Sequence, residues 1–180
     1  MLALASRVWC SSLRRTPDHM DDERERLFHI YLTDHRAGSG GGVSLAKRIA
    51  KENAGTELGR EIGDIARAIE EDQAKLTSIM HQVGARRRRW RKAGATLGER
   101  LARLKLNGRL FSYSPLSRVL ELEGLIMGVT GKLQLWRSLL DARGDDSRFD
   151  PAEIERLRER AEDQRRRLEQ LHAHAARRAF

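Results

Sequence analysis

Cysteine and proline are scarce in this chain, and long apolar runs are missing. Its 180 residues include one cysteine and three prolines, which excludes a disulfide scaffold, a cysteine-based zinc module and a proline-rich linker protein. No apolar stretch approaches the roughly 20 residues of a membrane-spanning helix. With 39% hydrophobic and 34% charged residues, the composition predicts a soluble, cytoplasmic globular protein with one core.

Basic residues outnumber acidic residues, 35 to 26, which gives a net charge of +9. Such an excess attracts nucleic acids, anionic membranes or acidic partners. Most of these charges, however, stand beside opposite charges, as in residues 155–160. That pattern is typical of a solvated helix face, so the net charge selects no partner by itself.

The first 19 residues differ in composition from the rest of the chain. They hold three arginines, one acid and Cys10, and their apolar stretch is too short for a secretory signal. A transit-like segment is one interpretation. We favour an N-terminal extension, residues 1–19, that is either disordered or lies upstream of a true start at Met20. The single domain is then 20–180, and it has no thiol nucleophile.

Hydrophobic periodicity predicts helices almost throughout, and no strand of useful length. The predicted helices cover residues 23–53, 57–83, 90–106, 115–142 and 151 to at least 175. We therefore predict an all-α fold, an antiparallel four-helix bundle with an additional C-terminal fifth helix that packs outside it.

Several helix ends have clear local signals. Gly55 and Gly84 are placed to end the first two helices. Ser114 and Asp150, each followed by proline, are placed to cap the last two. Glu153 then predicts an arrangement like a capping box.

A glycine run at 38–42 interrupts the apolar stripe of the first helix, which comprises Leu27, Tyr31, Leu45 and Ile49. Glycine inside a helix costs about 1 kcal/mol relative to alanine. The run predicts either a kink or a site where a second helix comes very close.

Two acids lie within apolar stripes, Asp34 in the first helix and Asp72 in the second. An antiparallel hairpin turning at Gly55 places them about one helical turn apart, roughly 5–6 Å along the axis. A buried carboxylate must be paired, hydrogen-bonded, protonated or metal-bound. The predicted buried polar cluster consists of Tyr31, Asp34, His35, Asp72, Glu121 and Glu123. We interpret it as a network that fixes helix register, with a metal site or a small-ligand pocket as alternatives.

Four segments carry a resemblance to a known group of proteins. They are Tyr31-Leu-Thr-Asp34-His35, Glu70-Glu71-Asp72, Arg103-Leu-Lys-Leu-Asn107-Gly108 and Gly131-Lys-Leu-Gln-Leu-Trp136. Together they resemble small actinobacterial proteins with a ferritin-like helical bundle. The resemblance implies that fold for residues 21–180 and implies no reaction.

The chain departs from the metal-binding ferritin-like pattern, which uses Glu-x-x-His pairs on two helices. Three residues before His35 stands Leu32, and three before His81 stands Ser78. The helix over 90–106 offers only Glu99. A complete di-metal ligand set is therefore missing, and the sequence implies no metal ligand and no cofactor.

A basic segment precedes the predicted third helix. It consists of Arg86, Arg87, Arg88, Arg89, Trp90, Arg91 and Lys92. Cations at a helix N-terminus oppose the helix dipole, which favours a phosphate-bearing partner such as nucleic acid or an anionic headgroup. The alternative is an ordinary exposed loop of an arginine-rich chain, and no recognised nucleic-acid-binding motif accompanies it.

The sequence favours a non-enzymatic structural or interaction protein with a buried polar cluster. The first alternative is a ferritin-like di-metal protein or oxidoreductase that uses the acids and His35. The second is a nucleic-acid or anionic-partner binder that acts through residues 86–92. The C-terminal helix also suits an interface with a second copy, which leaves a homodimer open.

Overall fold

The computed structural model describes residues 17–85 and 114–180. Within these ranges the chain forms four helices and no strand: α1 (Pro17–Glu52), α2 (Glu57–Gln82), α3 (Pro115–Arg143) and α4 (Pro151–Ala179). The all-α prediction is confirmed for this part of the chain. The helix predicted over 90–106, the basic segment 86–92 and residues 1–16 with Cys10 lie outside the described residues. No helix in the described ranges combines the length and apolarity needed to cross a membrane.

The residues that were predicted to end or cap the helices do so in the structure. Gly55 and Gly84 have φ of 79° and 72°, a left-handed conformation that glycine adopts at no steric cost. Ser114 Oγ accepts the Ser117 amide at 3.1 Å, and an Asp150 carboxylate oxygen accepts the Ala152 amide at 2.9 Å. Both predicted N-caps are therefore confirmed.

Glu153 has a different role from the one predicted. Its carboxylate accepts a hydrogen bond from Lys75 Nζ at 2.5 Å. The pair joins the start of α4 to α2, so this acid contributes an interhelical contact where a capping box was expected.

The N-terminal half of α1 buries a face one residue away from the predicted one. Leu27 is 52% exposed, whereas its neighbour Phe28 is 9% exposed and Leu32 is fully buried. Leu45 is buried as predicted. The predicted buried face is wrong upstream of residues 38–42. Because glycines have no side chain, this run breaks the apolar pattern that would have connected the buried face of the second half of α1 to that of the first.

The glycine run does not interrupt α1, which continues as one helix from residue 17 to residue 52. A Cβ added at Gly40 would come no closer than 4.0 Å to another atom, and one at Gly42 would meet nothing within 4 Å. The expected close approach of another helix is therefore wrong at these two positions. The glycines leave free volume between helices.

The described core divides into two apolar clusters, one at each end of the bundle. One contains Leu76, Leu133 and Ala161, and the other contains Ile69, Val129 and Leu168. On α2, α3 and α4 alike, the members of the two clusters are separated by a polar residue at mid-height. These residues are Asp72, Lys132 and Gln164.

Helix α4 contributes to the core of the described residues. Ile154, Ala161 and Leu168 are fully buried, and they contribute to both apolar clusters. The heptad-like seam of α4 supplies this face. Burial of the seam makes α4 as necessary to the core as α2 or α3.

Candidate functional site

Asp72 forms the centre of a buried polar cluster that joins three helices. Its side chain is 1% exposed, and its carboxylate is bound by Lys132 from α3 and by Arg160 from α4. Gln164 Nε2 donates to the same carboxylate at 3.2 Å. Lys132 also donates to Gln164 Oε1, so the four side chains form one connected network, here called the Asp72 network.

The charges of the Asp72 network are balanced. Arg160 also binds the exposed carboxylate of Glu71 at 3.0 Å, so two cations face two carboxylates. Burial lowers the pKa of Lys132, and the neighbouring Asp72 opposes that shift. A carboxylate has roughly four lone-pair sites, and Lys132, Arg160 and Gln164 occupy three of those of Asp72.

Asp34 and His35 of α1 line the same cavity as Asp72, but the described hydrogen bonds to Asp72 come from α3 and α4. Asp34 is exposed. The Tyr31 hydroxyl donates to Ser138 Oγ at 3.2 Å, and the Tyr31 ring packs edge-on against His35, with 4.6 Å between ring centroids. The expected pairing of Tyr31 with the acids is therefore wrong, because the buried face of α1 is shifted by one residue.

The two glutamates of α3 also lie apart from Asp72. Glu121 binds Arg48 of α1 at 2.9 Å. Glu123 is exposed and lies 3.1 Å from His172 of α4. They flank the apolar arc of α3 on opposite sides, and neither belongs to the Asp72 network. Of the six residues predicted as one cluster, the network contains only Asp72.

Sequence reasoning missed three members of the network, Lys132, Arg160 and Gln164. Two of them carried the signal that identified Asp72, a polar residue inside an apolar pattern. Lys132 follows the apolar stretch of α3, and Gln164 stands in the apolar seam of α4. Arg160 had no such signal because it alternates with acids on a charged face.

The ligand set proposed for a di-metal site is not assembled in the part of the chain that the structure describes. Within residues 17–85 and 114–180, no group of three or more histidine, cysteine, aspartate or glutamate side chains is arranged to hold a metal ion. The carboxylate of Asp72 faces cations, which occupy the positions where a metal ion would have to bind.

A cavity of about 270 Å³ lies beside the Asp72 network, between α1, α2 and α3. Asp34 and His35 line it from α1, and Lys132 and Trp136 line it from α3. Burial lowers the pKa of His35, against the opposing charge of Asp34.

A second ionic network, here called the Glu25 network, ties the α3–α4 connection to α1. Glu25 binds Arg148 at 2.6 Å and Arg143 at 2.9 Å, and Arg148 binds Asp146 at 2.6 Å. Hydrogen bonds from Arg148 hold the pKa of both Glu25 and Asp146 below their usual range.

The Glu25 network predicts a loss of stability in acid. A carboxylate with a depressed folded-state pKa contributes stability above its unfolded pKa and loses it as the pH falls through the folded value. We expect Glu25→Gln to lower the free energy of unfolding by about 1 kcal/mol at pH 7. The difference from wild type should shrink towards pH 3.5, as measured by urea unfolding at each pH.

Glu70→Gln is the matched control, because Glu70 has one exposed partner, Lys47. Its effect should be near zero at either pH. An effect of Glu25→Gln that stays constant with pH would show that the carboxylate charge is not the cause.

Comparison of the chain with family models, with curated proteins and with solved structures finds no match.

Proposed function

We propose that this protein is a non-enzymatic structural or interaction protein built on a ferritin-like helical bundle. One observation carries the proposal: the buried carboxylate of Asp72 is bound by Lys132, Arg160 and Gln164. A carboxylate held by three donors, two of them cations, links the helices, and the two neighbouring cations repel a metal ion.

The position of the Asp72 network supports a register-setting role. The network lies at mid-height between two apolar clusters, and apolar side chains alone would tolerate several alignments of the helices. Sliding α4 by one turn along α3 would separate Gln164 from Lys132 and leave buried polar atoms without partners, at a cost of about 1–3 kcal/mol each. The network thus favours a single alignment.

The metal content of the purified protein tests this function. We expect iron, manganese and zinc to be far below one equivalent in untagged protein, measured by mass spectrometry, for wild type and Asp72→Asn alike. The melting temperature should also be unchanged by a chelator. Near-stoichiometric metal that disappears in Asp72→Asn would overturn the proposal and support the di-metal alternative.

Binding of nucleic acid or an anionic partner through residues 86–92 stays a prediction, because that segment lies outside the described residues. The proposals of a cytoplasmic location and of a homodimer through α4 likewise rest on the sequence.

A further inference from the structure

The residues that line the cavity beside the Asp72 network have the chemical character of a small-molecule binding site. Leu76, Leu125, Val129 and Leu135 line it, and the polar Lys132 lies among them. Ligand sites in helical bundles lie between helices and combine a mostly apolar wall with a few placed polar groups.

Glycines keep this cavity open. Gly42 on α1 and Gly128 and Gly131 on α3 line it, and a Cβ added at any of the three would meet nothing within 4 Å. Each glycine costs the helix about 1 kcal/mol relative to alanine, although alanine would fit. The sequence therefore maintains this volume at a cost in stability.

Two side chains that line the cavity have N–H groups without a described acceptor. Trp136 is fully buried, and its indole N–H has no acceptor among the described residues. A buried donor left in this state costs about 1–3 kcal/mol. Lys132, one helical turn earlier, has three N–H groups and two described acceptors, Asp72 and Gln164. Both side chains need an acceptor, so a matching ligand brings an oxygen lone pair.

The local charges favour an uncharged ligand. Asp72 and Glu71 already balance Lys132 and Arg160, and the other carboxylate on the wall, Asp34, is exposed to solvent. A charged ligand inside the cavity would lose its hydration without gaining a buried counter-charge, which is costly.

We propose that this cavity binds a small, mainly apolar, uncharged molecule that carries a carbonyl oxygen. An apolar cavity of about 150 Å³ holds benzene, so about 270 Å³ accommodates a single ring with a short substituent. The inference rests on the proposed non-enzymatic function and deepens it, since it adds a ligand class to the bundle.

Acetophenone and α-methylstyrene form the test pair, because they have the same shape and differ only in the carbonyl oxygen, which a methylene group replaces. We expect saturable binding of both by NMR titration, with acetophenone bound about fivefold more tightly, the equivalent of one hydrogen bond of about 1 kcal/mol. Acetophenone should also shift the indole N–H proton of Trp136 downfield. Trp136→Phe should make the affinities for the two probes equal. The spectrum of this variant also lacks the indole N–H signal of residue 136, which assigns that signal in the wild-type spectrum.

Glycine variants test the location. Gly131→Leu and Gly42→Leu fill the cavity from opposite walls and should abolish binding while the melting temperature holds or rises. Gly63→Leu on α2 is the matched control: a Cβ there also meets nothing within 4 Å, and Gly63 does not line the cavity. It should bind acetophenone like wild type.

Each contrary result overturns a stated part of the inference. If wild type binds the two probes with equal affinity, the cavity does not recognise a carbonyl oxygen. If it binds benzoate more tightly than acetophenone, the ligand is not uncharged. An absence of saturable binding, or normal binding by both cavity-filling variants, excludes the site. None of these outcomes depends on the metal content, so failure here is distinct from failure of the proposed function.

Discussion

Asp72→Asn is expected to lower the free energy of unfolding by about 3–5 kcal/mol, because it removes one partner of a buried ion pair. The Lys132 ammonium then stays buried without its counter-charge. Arg160, which is 35% exposed, turns to water at little cost, so the loss arises mainly at Lys132. Urea unfolding followed by circular dichroism measures the change.

Glu71→Gln is the matched control for Asp72→Asn. Glu71 is the preceding residue on α2, shares Arg160 as a partner and is 67% exposed. Its removal should cost less than about 1 kcal/mol. Equal effects at the two positions would show that burial of Asp72 does not determine the energetics.

The double variant Asp72→Asn, Lys132→Met distinguishes two contributions to stability. One is the stabilisation by the Asp72–Lys132 ion pair, and the other is the cost of a buried Lys132 ammonium without a counter-charge. Replacing buried ionic partners with apolar groups is often neutral or stabilising. We therefore expect the double variant to be more stable than Asp72→Asn alone. A double variant that is less stable, by the sum of both single effects, would mean that the two side chains do not interact.

Leu168→Ala is expected to lower the free energy of unfolding by about 2–5 kcal/mol, the usual cost of removing a large buried aliphatic side chain. Leu168 is fully buried on α4 and packs in the cluster that contains Ile62 and Leu122. The expected cost is large because α4 is part of the core. Denaturant unfolding of the full chain measures it.

Phe180→Ala is the control for Leu168→Ala, because Phe180 is 89% exposed near the same end of the chain. Its effect should stay within about 0.5 kcal/mol. A similarly small effect of Leu168→Ala would show that the buried face of α4 contributes little to the stability of the core.

The local features of this fold could be predicted from the sequence because their causes are local. The ends of α2, α3 and α4 follow from Gly84, Ser114 and Asp150, which act on backbone groups within a few residues. The buried face of α2 follows from its regular apolar spacing. That spacing also identified Asp72 as a buried acid in need of partners.

The buried face of α1 could not be predicted in the same way. Upstream of the glycines at 38–42, the choice between Leu27 and Phe28 depends on packing against α2 and α3. A shift of one residue moves a side chain by about 100° around the helix axis. Tyr31 was therefore assigned to a cluster from which the structure separates it, whereas Asp34 lines the same cavity as Asp72 without binding its carboxylate.

By itself, the sequence determined that the described chain is helical, where α2 ends, where α3 and α4 begin, and that Asp72 is buried. The tertiary structure decided which side chains meet Asp72, since Lys132, Arg160 and Gln164 come from helices 60 to 92 residues away along the chain. It also decided that α4 contributes to the core and that glycines of α1 and α3 line a cavity between the helices. Helix formation depends on neighbours in sequence, whereas these contacts depend on how the helices pack against one another.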